Sequence, residues 1–248
     1  MKILKLFEAP QISWEDAVKE SAEFIHVNTR ALKRGFYPWS AQICESGSYQ
    51  VHHHQTAPRV SHDIPKNIND AANSFFESKF RYPYRDNAKF CSAMRLHAKH
   101  HEAQGMNKHM CLVIPMGSPW TILFSPKVAV FEQLFSPDAV RLVEEMDKIL
   151  APHKSFEIWN DIMGESINES QFVDRYTDVA EGNHDAKFEK FIHEVLSRCD
   201  YQVTNKMDNQ SILSGHEMMI VAQSYLIIDA TRRSKYTDAI EKLVDDAI

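Results

Sequence analysis

The stretch that decides the fold runs from Phe80 to His101, "FRYPYRDNAKFCSAMRLHAKHH". Pro83 cannot continue a helix and pushes the residue before it toward extended backbone. The short apolar patch "AKFCSA", residues 88–93, follows, and "AKFCS" reads as a strand. Ser92 then offers a hydroxyl that caps a helix from about Ala93 to Gln104, closed by Gly105. Arg81, Arg85 and Arg95, with His97, His100 and His101, surround the patch. It is either ordinary core or the floor of a site for something anionic, and the flanking segments have to decide.

Upstream, Ser13 with Glu15 and Asp16 marks a helix start, and Trp14, Ala17, Val18, Ala22 and Ile25 recur at helical spacing. "ALKRGFY", residues 31–37, reads as a strand broken at Gly35 and Pro38. Residues 38–64 are polar and carry Gly47, Pro58 and the "HHH" of 52–54, which predicts a long loop. Pro65 suits the first turn of a helix to about Lys79.

Downstream, "HMCLVIPM" (109–116) and "WTILFS" (120–125) are split by "GSP", a hairpin signal. "SPDAVRLVEEMDKIL", residues 136–150, has a capping Ser, Pro at its first position and Glu144 and Glu145 facing Lys148. Another helix is expected over 186–198. "EMMIVAQSYLIID" (217–229) gives two strands around Gln223-Ser224, and "SKYTDAIEKLVDDAI" (234–248) an amphipathic helix. Strands and helices are partly segregated, so the class is α+β, in one domain over 1–248 with a helical insertion at roughly 128–200.

Composition narrows the function classes. With 248 residues, 44% of them hydrophobic, the chain can bury a core without staples. A net charge of −6 gives no overall basic field of the kind that drives non-specific nucleic-acid binding, though a local basic groove would suffice. Cys44, Cys91, Cys111 and Cys199 form no C-x-x-C pair, and "MKILKLFEAP" does not read as a signal peptide; both suit free thiols in a reducing compartment. No run approaches the ~20 apolar residues of a membrane span. With only seven glycines, neither phosphate-loop nor dinucleotide glycine motif occurs.

Arg34, Ser92 and Glu217 are the residues that together suggest chemistry. An arginine holds phosphate or ribose bidentately, a strand-end serine fixes a polar edge, and a strand-start carboxylate stabilises positive charge at an anomeric carbon. Each has a plainer reading. Arg34 is a surface arginine beside a turn, Ser92 a helix cap, and Glu217 a solvated strand start; Arg85 pairs with Asp86 in a turn. His97 and His101 stand i, i+4, as zinc ligands can, but "HAKHH" is not H-E-x-x-H and no third ligand follows by spacing. The plainer reading there is solvated histidines, or an anion-binding surface when protonated. Cys91 on a strand reads as a buried, inert thiol.

The segments "LKRGF", "APRVSHDIPKNINDAANSFFESKFRYPYRDNAKFCSA", "HMCLVIPMGSPWTILFSPKV" and "HEMMIVAQSYLII" resemble the ADP-ribosyltransferase superfamily in its arginine–serine–glutamate branch, most of all its phage and bacterial toxin versions. The resemblance runs over about 30–130 and returns at 215–229. It implies a split β-sheet core with an N-terminal helix and a helical insertion. It also implies a mono-ADP-ribosyltransferase that takes NAD+ as substrate without a metal. By the family pattern Arg34 and Gly35 contact NAD+, Ser92 after Phe90 shapes the nicotinamide pocket, and Glu217 supports an oxocarbenium-like transition state. Arg59 and Arg85, with Arg81, are candidates for the pyrophosphate. Many protein-modifying relatives carry Glu or Gln two residues before the catalytic Glu; here that residue is Gly215.

The implied role is a toxin or a phage or anti-phage effector in the cytoplasm of a bacterial host cell. The acceptor is macromolecular, with RNA ahead of protein and DNA because "FRYPYR" can stack and hold a single strand. An antitoxin or inhibitor protein is the expected partner, and no membrane is involved. Two other classes stay open: a nucleotide- or protein-binding module of the same fold without turnover, and a histidine-dependent metal hydrolase or nuclease.

Overall fold

The computed structural model describes residues 12–53, 64–102, 108–135 and 139–247. Helix α1 (Trp14–Leu32) starts where Ser13 caps it, accepting from the Asp16 N–H, with Glu15 and Asp16 complementing the N-terminal dipole. Ala17, Ser21, Phe24, Ile25, Asn28, Ala31 and Leu32 form its buried stripe. The helix does not yield to a strand at Ala31. Phe36 N donates to Ala31 O at 3.2 Å and Gly35 N to Leu32 O at 2.8 Å, and Gly35 sits at φ 83°. That is a Schellman closure, which needs a left-handed residue. "ALKRGFY" is therefore a helix end and a turn, and the strand expected there is absent.

Strands β1 (Trp39–Ile43) and β2 (Tyr49–His53) occupy the segment expected to be a loop. They carry Ser40, Gln42, Gln50, His52 and His53, too polar for a strand signal. Their order comes from partners distant in sequence: β2 pairs with β8 (Ser224–Asp229), and β1 with β3 (Lys89–Ser92) and β4 (Lys108–Met116). Next come α2 (Lys66–Phe80), the single turn α3 (Tyr84–Asn87), and α4 (Arg95–Glu102) between β3 and β4. After β5 (Thr121–Phe124) a helical run follows: α5 (Phe131–Leu134), α6 (Ala139–Leu150), α7 (Ser155–Met163), α8 (Glu169–Glu181) and α9 (Ala186–Arg198). The chain ends with β6 (Gln202–Thr204), α10 (Gln210–Leu213), β7 (Glu217–Val221), β8 and α11 (Lys235–Asp246).

Among the described residues, eight strands join one antiparallel sheet in the order β2-β8-β4-β1-β3-β7-β5-β6. The α+β class read from the sequence is the class observed. The hairpin expected from β4 and β5 does not form, nor are β7 and β8 neighbours. The connections from β4 to β5 and from β7 to β8 carry the chain from one half of the sheet to the other. The halves β2-β8-β4-β1 and β3-β7-β5-β6 meet at one register pair, Trp39↔Ser92. The sheet is continuous, with a narrow seam at β1 and β3.

Side-chain alternation divides the second half between two cores. Cys91, Met218, Ile220, Ile122 and Phe124 belong to a core shared with α1 and α11. Met219 and Leu123, with Phe90 against them, belong to a second core built from α2 and the helical run. Trp159, Phe172, Tyr176, Phe188 and Phe191 stack edge-on at its centre. The helices of the expected insertion thus cover one face of the sheet beside the seam.

Candidate functional site

The pairing of β3 with β7, beside the seam, brings Ser92 and Glu217 together. They are opposed partners on adjacent strands, and by alternation they share the face of Phe90 and Met219. The Ser92 hydroxyl is buried, donates to Gly215 O at 3.0 Å and accepts from Met94 N at 3.1 Å. It therefore holds the turn that precedes α4, two residues short of a cap on a helix that begins at Arg95, and pins the turn before β7 in the same residue. His97 reaches the same carbonyl through Nδ1 at 2.9 Å; a carbonyl only accepts, so Nδ1 carries the proton.

That turn explains Gly215. It sits at φ 93°, and an added Cβ would lie 2.3 Å from His97 Nδ1 and 2.6 Å from its Cε1. No Glu or Gln fits two residues before Glu217 in this geometry. The rest of the turn is tied down as well. His216 Nδ1 donates to Ser125 O at 2.8 Å and Glu217 N to Ala129 O at 2.7 Å.

Glu217 meets a guanidinium. Arg85 Nη1 lies 3.8 Å from Glu217 Oε1, with side-chain exposures of 5% and 14%. The Arg85 Cζ is 4.5 Å from the ring centre of Phe90 and 4.1 Å from that of Phe131, a cation held between two aromatic faces. A row of asparagines on α2 positions α3. Asn73 Oδ1 accepts from Arg85 N at 2.9 Å, and Asn69 Nδ2 donates to Asp86 Oδ1 at 2.7 Å. Asn67 on the same helix reaches the carbonyls of Val179 and Gly182. Tyr201 is buried beside the pair. Burial drives its hydroxyl well above the ordinary tyrosine range, helped by Cys199 and Glu217 and opposed by Arg85.

The other sequence candidates fall elsewhere. Arg34 stands exposed in the turn after α1, its guanidinium 5.1 Å from the ring centre of Phe36, which packs on the first core. Its neighbour Gly35 closes the helix. The structure does not bring this R-G pair to Ser92 and Glu217. Arg59 and His54 lie outside the described residues. Arg85 does not pair with Asp86 in a surface turn; it is buried and faces Glu217. Of "FRYPYR", Tyr84 and Arg85 turn inward, while Phe80, Arg81 and Tyr82 keep exposure. Beside Arg81, Asp70, Glu77 and Asp86 line an open cleft of about 610 Å³ on the α2–α3 side.

Cys91 is buried, and burial pushes its thiol far above the ordinary range, which disarms it as a nucleophile. His52 and His53 are strand residues, not loop residues. His52 Nε2 donates to Gln50 Oε1 at 3.0 Å, and its Nδ1 lies 3.5 Å from Lys89 Nζ. Burial first, then Lys89 and His53, lowers its pKa to about 4, so it is a neutral ring and no anion-binding cation at neutral pH. Among the described residues no group of three or more His, Cys, Asp and Glu is arranged to hold a metal ion, and no helix is long and apolar enough to cross a membrane.

The residues that sequence reasoning missed are Phe131, Tyr201 and the α2 asparagines. The asparagines carried a signal. Asn is a poor interior helix residue, and three of them in "NINDAAN" on a helix with apolar neighbours point to side chains that hold backbone. No protein-family model matches the chain, and no curated protein or solved structure matches it either.

Proposed function

We propose that the chain is a mono-ADP-ribosyltransferase that consumes NAD+ and modifies a macromolecular acceptor, acting as a toxin or phage-related effector in bacterial cytoplasm. The observation that carries the reading is the direct opposition of Ser92 and Glu217 at the seam, two residues singled out by the family resemblance and distant in sequence. In this reaction the bond between nicotinamide and ribose breaks, and its electron pair leaves with nicotinamide. The anomeric carbon becomes cationic, and an acceptor nucleophile closes the new bond and loses its proton. A carboxylate held beside that carbon stabilises the developing charge. Glu217 supplies it. Ser92 acts through the backbone by holding the Gly215 turn, and Phe90 forms the apolar floor. RNA stays ahead of protein and DNA as acceptor through the exposed Arg81 and the half-buried Phe80 and Tyr82 beside it.

A second reading draws on a specific observation. The Ser92 hydroxyl is committed to backbone partners and Glu217 to Arg85, an arrangement that a nucleotide-binding module without turnover also tolerates. Labelled NAD+ offered with total RNA, DNA and cell lysate separates the two. Transfer by the wild-type protein, undiminished by a chelator and lost in Glu217→Gln, is the expected result. Neither transfer nor nicotinamide release from folded protein leaves the binding module standing.

A further inference from the structure

We propose that Arg85 is the positioning residue for Glu217, holding its carboxyl ionised and aimed along the seam; the catalytic half of this inference rests on the transferase reading above. The resemblance placed Arg85 at a pyrophosphate, but a guanidinium 5% exposed between two rings is not presented to a phosphate. What it faces is the carboxylate that the reaction needs as an anion.

The argument starts from desolvation. A carboxyl only 14% exposed, on the face of Phe90 and near Tyr201, is driven toward its neutral form by desolvation. A neutral acid stabilises an oxocarbenium ion poorly. A cation 3.8 Å away reverses that drive, more strongly than at the surface because the local dielectric is low. Arg85 from α3 and Tyr201 from the segment before β6 lie beside Glu217, His216 is next to it in sequence, and Cys91 lies on the other face of β3. Tyr201 and Cys91 are both held neutral by burial, and the His216 ring is engaged at Ser125 O. Arg85 is a cation that an ion pair of 3.8 Å ties to this carboxylate.

Direction is set as firmly as charge. Phe90 and Phe131 hold the guanidinium plane from two elements, and Asn73 holds the Arg85 N–H from a third. Lysine keeps the charge but presents no flat, delocalised fork to stack between the rings. Arg85→Lys therefore separates charge from geometry, and Arg85→Met removes the charge while keeping an apolar filler.

The test reads Glu217 directly. The carboxyl carbon is followed by NMR against pH in wild type, Arg85→Met and Arg85→Lys, with Glu217→Gln as the assignment, and NAD+ cleavage is measured in parallel. Arg85→Met is expected to move the Glu217 titration upward by about one unit or more and to move the acid limb of NAD+ cleavage with it. Arg85→Lys is expected to return the titration most of the way, yet to lower kcat on the order of 10- to 100-fold with little change in KM. A Glu217 titration unmoved in folded Arg85→Met overturns the proposal. If Arg85→Met does not fold, Arg85→Lys carries the test, and an unchanged kcat or a loss confined to KM overturns it. A titration shift in a protein that leaves NAD+ intact keeps Arg85 in its place beside Glu217 and removes the transferase reading.

Discussion

Among the described residues, each of the two cores encloses one formally charged side chain almost completely, and the two are closed in different ways. Asp229, 1% exposed, sits at the end of β8, where Gly47 N reaches it at 2.6 Å and Thr231 N at 3.0 Å. Its partners are backbone N–H groups one turn away or on the neighbouring loop, with His109 at 3.7 Å. Arg85, 5% exposed, is closed by two aromatic rings and by a carboxylate from the other end of the chain. A carboxylate satisfied by backbone is a joint: it holds two loops and needs nothing further. An arginine paired with an acidic side chain at a strand start makes a second charge part of the fold.

The comparison breaks most visibly at Arg85. Truncating one member of a buried ion pair leaves the other uncompensated, so Arg85→Ala is expected to lower stability by about 3–5 kcal/mol. Replacing both members with apolar residues, Arg85→Met with Glu217→Leu, is expected to recover most of that loss. Urea unfolding of the single and double variants reads both quantities. A double variant no more stable than Arg85→Ala would mean that the ion pair is not what closes this part of the second core.

Asp229→Asn is expected to cost less, about 1–3 kcal/mol, because the amide keeps the shape but turns one of the two oxygens that accept from Gly47 N and Thr231 N into an NH2 donor. The pH dependence gives the sign. Burial raises the Asp229 pKa, but the N–H groups of Gly47 and Thr231 and the nearby His109 more than offset it, leaving it below the usual aspartate value. The stability it contributes is fully present above the unfolded value of about 3.9 and is lost as pH falls through the lower folded value. The stability gap between wild type and Asp229→Asn should accordingly narrow only in strong acid. A gap that closes near neutrality would assign the effect to something other than this carboxylate.

A shallower effect is expected at His52 on the edge strand β2. Its folded pKa, lowered to about 4, means the fold resists its protonation. Stability is therefore full above the unfolded value of about 6.5 and declines as pH falls toward the folded one. His52→Gln should flatten the stability curve in that window, read by thermal unfolding at successive pH values, and an unchanged slope would remove His52 as its source.

These contrasts also show where the sequence was readable. Helices α1, α2, α9 and α11 announced themselves through caps and a 3.6-residue apolar period, and β3, β7 and β8 through short apolar runs. β1 and β2 did not, because Ser40, Gln42, Gln50 and His52 hide a strand whose order comes from partners far along the chain. Strand order was illegible for a related reason: "GSP" and "AQ" look the same whether the chain folds back or crosses to the other half of the sheet. Within the candidate site, Ser92 and Glu217 were legible as a pair of residue types, but nothing local says that strands β3 and β7 oppose them. Arg85 read as a surface cation because its two rings and its carboxylate come from three other elements.

The smallest effect is expected at Arg34, and it tests the reading of one dipeptide. In "LKRGF" the glycine is required: it takes φ 83° and lets Phe36 N and Gly35 N close the last turn of α1. The arginine beside it is exposed, and its contact is the face of Phe36. Helix closure thus accounts for the pair without any ligand, since a strand-borne R-G and a helix-ending R-G are the same two letters. Arg34→Ala is expected to change stability by no more than about 0.5 kcal/mol, as surface substitutions do, while Gly35→Ala, forced into the left-handed region, loses about 1 kcal/mol or more. If the seam alone holds the reacting bond, Arg34→Ala also leaves NAD+ cleavage unchanged. A variant that folds normally and no longer cleaves NAD+ would extend the site across the sheet to the end of α1, and the division of roles between the two cores would fall with it.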